Sequence, residues 1–220
     1  MKDIIKSHIE GSATIKLRVV ETLLHDIEQA AQLCISTYKN GKKMLIAGNG
    51  GSAADAQHVA GELMNYFRFD RPPLPAVSLS TDTSVMTAIS NDSHYRNVFS
   101  KQLRALGEKG DVFVALSTSG NSENVLEAIA AAKEKGIPVI GFTGETGGKM
   151  AGKCDHIIKI PSRDVAKIQE SHMCILHVLC ELIEQEMFPK GTLNQTTERK
   201  QQEPQPIKDV KRDARSPPFT

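Results

Sequence analysis

The sequence predicts a single α/β domain, a parallel sheet flanked by helices in a flavodoxin-like three-layer sandwich. Three observations predict it. Strand and helix patterns alternate along the chain, the strand candidates are unbroken apolar runs, and polar Gly- or Ser-rich turns stand where those runs end. An apolar run without alternation belongs to a strand buried on both faces, the situation of a parallel sheet covered by helices. With 220 residues the chain is long enough for one substantial core and short for two.

The elements follow in order. The first forty residues predict one helix, because Val20, Leu23, Leu24, Ile27, Ala31 and Cys34 recur at three- and four-residue steps, and Asn40-Gly41 ends it. A short strand, MLIA, a glycine turn and a second helix come next, then a strand over 76–79. A polar, Thr/Ser-rich segment leads to a helix over 95–106. The pattern then repeats more clearly, with DVFVAL as strand, STSGNS as turn and ENVLEAIAAAKEKG as a helix ended by glycine. IPVIGFT and CDHIIKIP read as strands, and 166–187 as a last long helix carrying Ile168, His172, Ile175, Leu176, Leu179, Leu182 and Ile183. The domain therefore spans 1–190. Residues 191–220 hold Pro204, Pro206, Pro217 and Pro218, many Gln and few large apolar residues, a composition that predicts a disordered tail.

Composition narrows the function. Lys and Arg number 27 against 26 Asp and Glu, a formal net charge of +1, so no global field recruits nucleic acid or an anionic membrane. The start, MKDIIKSHIEGS, has no apolar leader region, and nothing later approaches a membrane span. Cys34, Cys154, Cys174 and Cys180 form no CxxC pair and lie in apolar stretches, which predicts buried reduced thiols. A soluble cytoplasmic protein is expected, one that captures any anionic ligand locally.

In an open parallel sheet, ligands bind beyond the carboxyl ends of the strands. Two turns occupy such positions. In Gly48-Asn49-Gly50-Gly51-Ser52, glycines let the backbone approach a ligand and the helix start offers free N–H groups. Gly48, Gly50 and Ala53 also fit a dinucleotide-binding fingerprint, but Asp70 precedes the next strand and Asp82 comes late, so its acidic partner is poorly placed. The second turn, Ser117-Thr118-Ser119-Gly120-Asn121-Ser122, sets four hydroxyls ahead of a helix N-terminus. Helix capping needs one hydroxyl; a phosphate monoester uses several, together with N–H groups and the helix dipole.

Groups able to move protons lie further along. His58 and Glu62, four residues apart, share one face of a helix. Gln169 and His177, eight apart, fall near one face of the last helix, with His172 pointing elsewhere. Asp164 reads as the N-cap of that helix.

The strings GNGGSAADAQH, the later Glu62, ISND at 89–92, STSGNS and KIQESHMCILH, in that order, resemble the sugar-isomerase (SIS) domain family, and within it the sedoheptulose 7-phosphate isomerase branch, over roughly residues 1–188. The resemblance implies a homotetramer with sites between subunits and conversion of sedoheptulose 7-phosphate to D-glycero-D-manno-heptose 7-phosphate, a step toward the heptose of lipopolysaccharide. It implies that Ser117, Thr118, Ser119 and Ser122 hold the phosphate, and that Asn49, Gly50, Gly51, Ser52, Asn91 and Asp92 line the sugar. His58, Glu62, Gln169 and His177 match positions that bind zinc, one ion per subunit, with Gln169 and Glu62 also meeting substrate and Glu62 and His177 as base and acid. A different implication comes from the same family, in which a non-enzymatic tetramer binds the bacterial replication initiator protein. Retention of all four of those residues favours the enzyme.

Overall fold

The computed structural model describes residues 1–189; the tail predicted over 191–220 lies outside them. Five strands, β1 (Met44–Ala47), β2 (Ala76–Ser78), β3 (Val112–Leu116), β4 (Val139–Gly144) and β5 (His156–Ile160), form one sheet in the order β2-β1-β3-β4-β5. Every pairing is parallel, with Ile46 opposite both Ser78 and Val114. This is the flavodoxin-like order, whose direction reverses between β1 and β3.

The sheet buries both faces, as the apolar runs require. Met44, Ile46, Val112, Val114 and Leu116 point to one side, against α1 (Lys2–Thr22), α2 (Leu24–Lys39), α3 (Gly51–Met64) and α7 (Val165–Met187). Leu45, Ala47, Phe113 and Ala115 point to the other, against α5 (Val98–Leu106) and α6 (Glu123–Glu134). Cα positions alternate across a strand, so each apolar run supplies two cores.

Three expectations need correction. The predicted first helix is two helices, broken at Leu23 (φ −122°, ψ 4°). Leu23 itself is buried, but Val20 and Leu24 are 56% and 60% exposed, so the apolar stripe divides into an inner and an outer set. The Thr/Ser-rich segment, given no element from the sequence, forms α4 (Thr83–Asp92), started by Asp82, whose carboxylate accepts the Val85 N–H at 2.9 Å. No residue of α4 is buried. A 3₁₀ turn at Tyr95–Asn97 then leads into α5, which is shorter than the helix predicted there. Finally, Cys34 and Cys180 are buried and Cys154 half-buried, but Cys174 is exposed.

An ion pair crosses the core. Arg71 Nε donates to Glu184 Oε2 at 3.0 Å, and neither side chain is exposed at all. A buried pair holds only where its remaining donors and acceptors are satisfied. Here Arg71 Nη1 donates to the Leu63 and Pro72 carbonyls and Nη2 to the Glu62 carbonyl, while Glu184 accepts the Phe67 and Arg68 N–H groups. Glu184 on α7 thus clasps the loop that follows α3. Among the described residues, no helix is long and apolar enough to cross a membrane.

Candidate active site

The turn after β1 is shaped by its glycines. Gly50 adopts φ 55°, a left-handed conformation that carries the chain into α3 with the first N–H groups of the helix unobstructed. Asn49 forms a reciprocal amide pair with Asn124, Nδ2 to Oδ1 at 2.9 Å and back at 2.8 Å, and the Tyr95 hydroxyl donates to Asn49 Oδ1 at 3.2 Å. Ser52 is buried in the first turn of α3. Asp82, the acidic residue that a dinucleotide site would have needed, is occupied as the cap of α4.

The turn after β3 brings three of its hydroxyls together. Ser117 Oγ lies 2.9 Å from Ser122 Oγ and 3.5 Å from Ser119 Oγ, and Ser119 Oγ accepts the Asn121 N–H at 3.1 Å. Ser122 is the N-cap of α6, yet its side chain makes no capping bond; it faces Ser117 instead. Three hydroxyls therefore converge beside a helix start whose first N–H groups lack helical partners, an arrangement suited to a phosphate. The loop after β4 locks this turn, with Lys149 N donating to Asn121 Oδ1 and Met150 N to the Gly120 carbonyl, each at 3.0 Å. Gly120 (φ 65°) is required there, because a Cβ would sit on the Gly147 carbonyl oxygen.

The third component joins α3 and α7. His58 Nε2 lies 3.0 Å from Glu62 Oε1 and 3.3 Å from His177 Nε2, and one ligand atom from each of the three residues falls within 4.8 Å of the others. A single ring nitrogen offers either one hydrogen or one lone pair. His58 Nε2 cannot satisfy both neighbours at once, whereas a cation among the three would use a lone pair from each. The donor set of two imidazoles and a carboxylate fits a divalent ion such as zinc. The Phe67 ring packs 5.3 Å from the His177 ring, held there by the clasp of Glu184 on the Phe67 backbone. Burial, then the neighbouring His58, lowers the pKa of His177, opposed by Glu62. Burial also pushes the Cys34 and Cys180 thiols up to about 12, which removes them as nucleophiles.

Other predicted residues lie apart from this cluster. Gln169 packs its amide against the start of α3, where a Cβ on Gly51 would lie 2.6 Å from its Nε2. Gly51 precedes His58 by seven residues, about 10 Å of helix rise, so within one chain Gln169 stands nearer the glycine turn than the histidines. Asn91 and Asp92 end the exposed α4 and bond to each other at 2.8 Å; among the described residues their side chains make no hydrogen bond to either turn. His172 is fully buried with Nε2 3.2 Å from the Thr143 carbonyl, away from the site as expected. Asp164 caps α7 by accepting the Ala166 N–H at 3.0 Å. Sequence reasoning missed Asn124, Tyr95, Phe67 and the Arg71–Glu184 pair. The one signal available was a charged residue, Glu184, one helical turn after Cys180 on the apolar face of α7.

The comparisons with known proteins agree with this architecture. A model of the SIS domain matches residues 8–144, which sets the class. The phosphoheptose isomerase of Aneurinibacillus thermoaerophilus is 54% identical over 190 residues, 86% of this chain and 96% of that protein. Solved phosphoheptose isomerase structures from Neisseria gonorrhoeae and Francisella tularensis superpose with TM-scores of 0.79 and 0.81, at 44% and 39% identity. Each covers 83% of this chain, and they are covered over 98% and 97% of their own lengths. The chain belongs to the SIS-domain family and, within it, to the phosphoheptose isomerases.

Proposed function

We propose that this protein converts sedoheptulose 7-phosphate to D-glycero-D-manno-heptose 7-phosphate in the cytoplasm, through an enediol. The observation that carries the reading is the meeting of Glu62 and His177 at His58, in a chain whose hydroxyl turn suits a phosphate. Aldose–ketose isomerisation needs a base for a carbon-bound proton and a group that moves protons between adjacent oxygens. Glu62 takes the proton from C1 of the ketose and returns it to C2. His177, whose pKa burial and then His58 lower, donates a proton to O2 and accepts one from O1. Ser117, Thr118, Ser119 and Ser122 hold the phosphate. Asn49, Gly50, Gly51, Ser52, Asn91, Asp92 and Gln169 surround the sugar.

Zinc is the expected cofactor, held by His58, Glu62 and His177, with the amide of Gln169 as the fourth ligand by family resemblance. When bound it supplies Lewis-acid polarisation of the carbonyl oxygen. A homotetramer is proposed as well. Ile5, Ile9, Leu17, Val20 and Leu24 form an exposed apolar stripe along α1 and the start of α2, and α4 buries nothing within one chain. Faces of that kind mark interfaces. Packing of α4 against a second copy would also bring Asn91 and Asp92 to a shared site. The reading as a non-enzymatic partner of the replication initiator is not favoured, since His58, Glu62 and His177 are still gathered at one point.

Turnover of sedoheptulose 7-phosphate, measured with added zinc and with chelator, tests the proposal. Glu62→Gln is expected to lower kcat by about 10³-fold while light scattering shows the tetramer intact. Activity retained in that variant would remove Glu62 as the base. Absence of turnover by the wild type in every metal condition would overturn the isomerase reading.

A further inference from the structure

One pair of side chains ties the turn after β1 to the first turn of α6. Asn49 and Asn124 exchange two amide hydrogen bonds, and the Tyr95 hydroxyl adds a third, to Asn49 Oδ1. An amide oxygen accepts two hydrogen bonds and an amide nitrogen donates two. The oxygen of Asn49 is therefore filled, by Asn124 Nδ2 and by Tyr95. Its nitrogen has used one hydrogen, on Asn124, and keeps one with no partner among the described residues. Asn124 is buried, whereas Asn49 is only half-buried and stands at the carboxyl end of β1, where a ligand would arrive.

We infer that Asn124 and Tyr95 are positioning residues that orient Asn49, so that it meets the sugar as a hydrogen-bond donor and not as an acceptor. The inference rests on the isomerase reading and deepens it by giving Asn49 a polarity. Rotating the Asn49 amide alone would set oxygen against oxygen and N–H against N–H, breaking both bonds and leaving buried Asn124 unsatisfied; only rotation of both amides together keeps the pair, and the Tyr95 hydroxyl would then have to accept from Asn49 Nδ2. A donor fixed in this way suits a substrate oxygen that gains negative charge as the enediol forms, because it needs no reorientation at that moment. The same pair holds the sugar turn at a set distance from the phosphate turn, since Asn124 lies two residues after Ser122.

The test is a double-mutant cycle on the full-length protein with sedoheptulose 7-phosphate. Asn124→Ala, Asn124→Leu and Tyr95→Phe are made alone and in an Asn49→Ala background, and kcat and KM are measured for each. Removal of one or two such bonds is expected to lower kcat/KM roughly 10-fold for the Asn124 variants and about 3-fold for Tyr95→Phe, chiefly through kcat, and each loss shrinks below about 2-fold once Asn49 is alanine. Equal losses in both backgrounds, or none in either, would overturn the inference. Should the Asn124 variants fail to fold, Tyr95→Phe alters only a half-exposed ring and decides the question by the same criterion. Neutron crystal structures of the wild type and Asn124→Leu locate the amide hydrogens and so read the orientation directly, and an unmoved Asn49 amide in the variant would also overturn it. A wild type without turnover would count against the isomerase reading alone, and the two neutron structures would still decide the orientation.

Discussion

The hydroxyl turn after β3 draws the side chains proposed to hold phosphate from six consecutive residues, whereas the proposed acid–base cluster joins His58 and His177 across 119 residues. The turn takes its hydroxyls from one strand end and helix start, and backbone bonds from the loop after β4 lock it in place. The cluster needs α3 and α7 at the right height against each other, and nothing in either helix alone sets that height. The Arg71–Glu184 pair does, by tying the Glu62 and Leu63 carbonyls and the Phe67 backbone to α7. The two groups of side chains thus rest on different physical supports, and each can be broken separately.

The largest separable effect is expected from the long-range support. Arg71→Met leaves Glu184 charged, buried and short of a partner, which should cost about 3–5 kcal/mol of unfolding free energy by denaturant titration. Replacing Glu184 with Leu in the same chain should recover part of that loss. An unchanged midpoint in Arg71→Met would mean that the clasp does not set the packing of α3 on α7.

His172 gives a second probe of the same region. Burial lowers its pKa to about 4, and its Nδ1 has no hydrogen-bond partner. The unfolded chain binds this proton near pH 6.5, the folded chain only near pH 4. Its contribution to stability is therefore fully present above pH 6.5 and declines as pH falls toward 4, by on the order of 3 kcal/mol in total. His172→Phe should flatten that part of the stability–pH curve. An equally steep decline in the variant would assign the acid sensitivity to other groups.

The smallest effect belongs to the local turn. Ser119→Ala with Ser122→Ala should raise KM for the phosphorylated sugar about 10-fold with kcat little changed, since the lost bonds serve ground state and transition state alike. A fall in kcat with KM unchanged would show that the two supports are coupled after all.

This contrast also explains what could be read from the sequence. The sheet was legible because DVFVAL, IPVIGFT and MLIA are apolar on both faces, and the hydroxyl turn because its Ser and Thr residues fall within six positions. His58 and Glu62 were legible as one helix face. Helix α4 was not, because TSVMTAISND has few strong helix formers and no buried stripe to give it a period. The break at Leu23 has no glycine or proline to announce it, and the apolar steps run straight through it. Asn124 reads as an ordinary polar position near a helix start, and its meaning comes only from Asn49, 75 residues earlier. The height of Gln169 against α3 likewise follows from packing that no local pattern encodes.

The clasp of Glu184 on the loop after α3 has a consequence for synthesis of the chain. Residues 1–164 contain every strand and the complete hydroxyl turn, so all five strands leave the ribosome before α7 does. Until Glu184 emerges, Arg71 has no counter-ion and the backbone N–H groups of Phe67 and Arg68 lack their acceptor. The nascent protein can form its hydroxyl turn early, but the cluster of His58, Glu62 and His177 must wait for the final helix to dock.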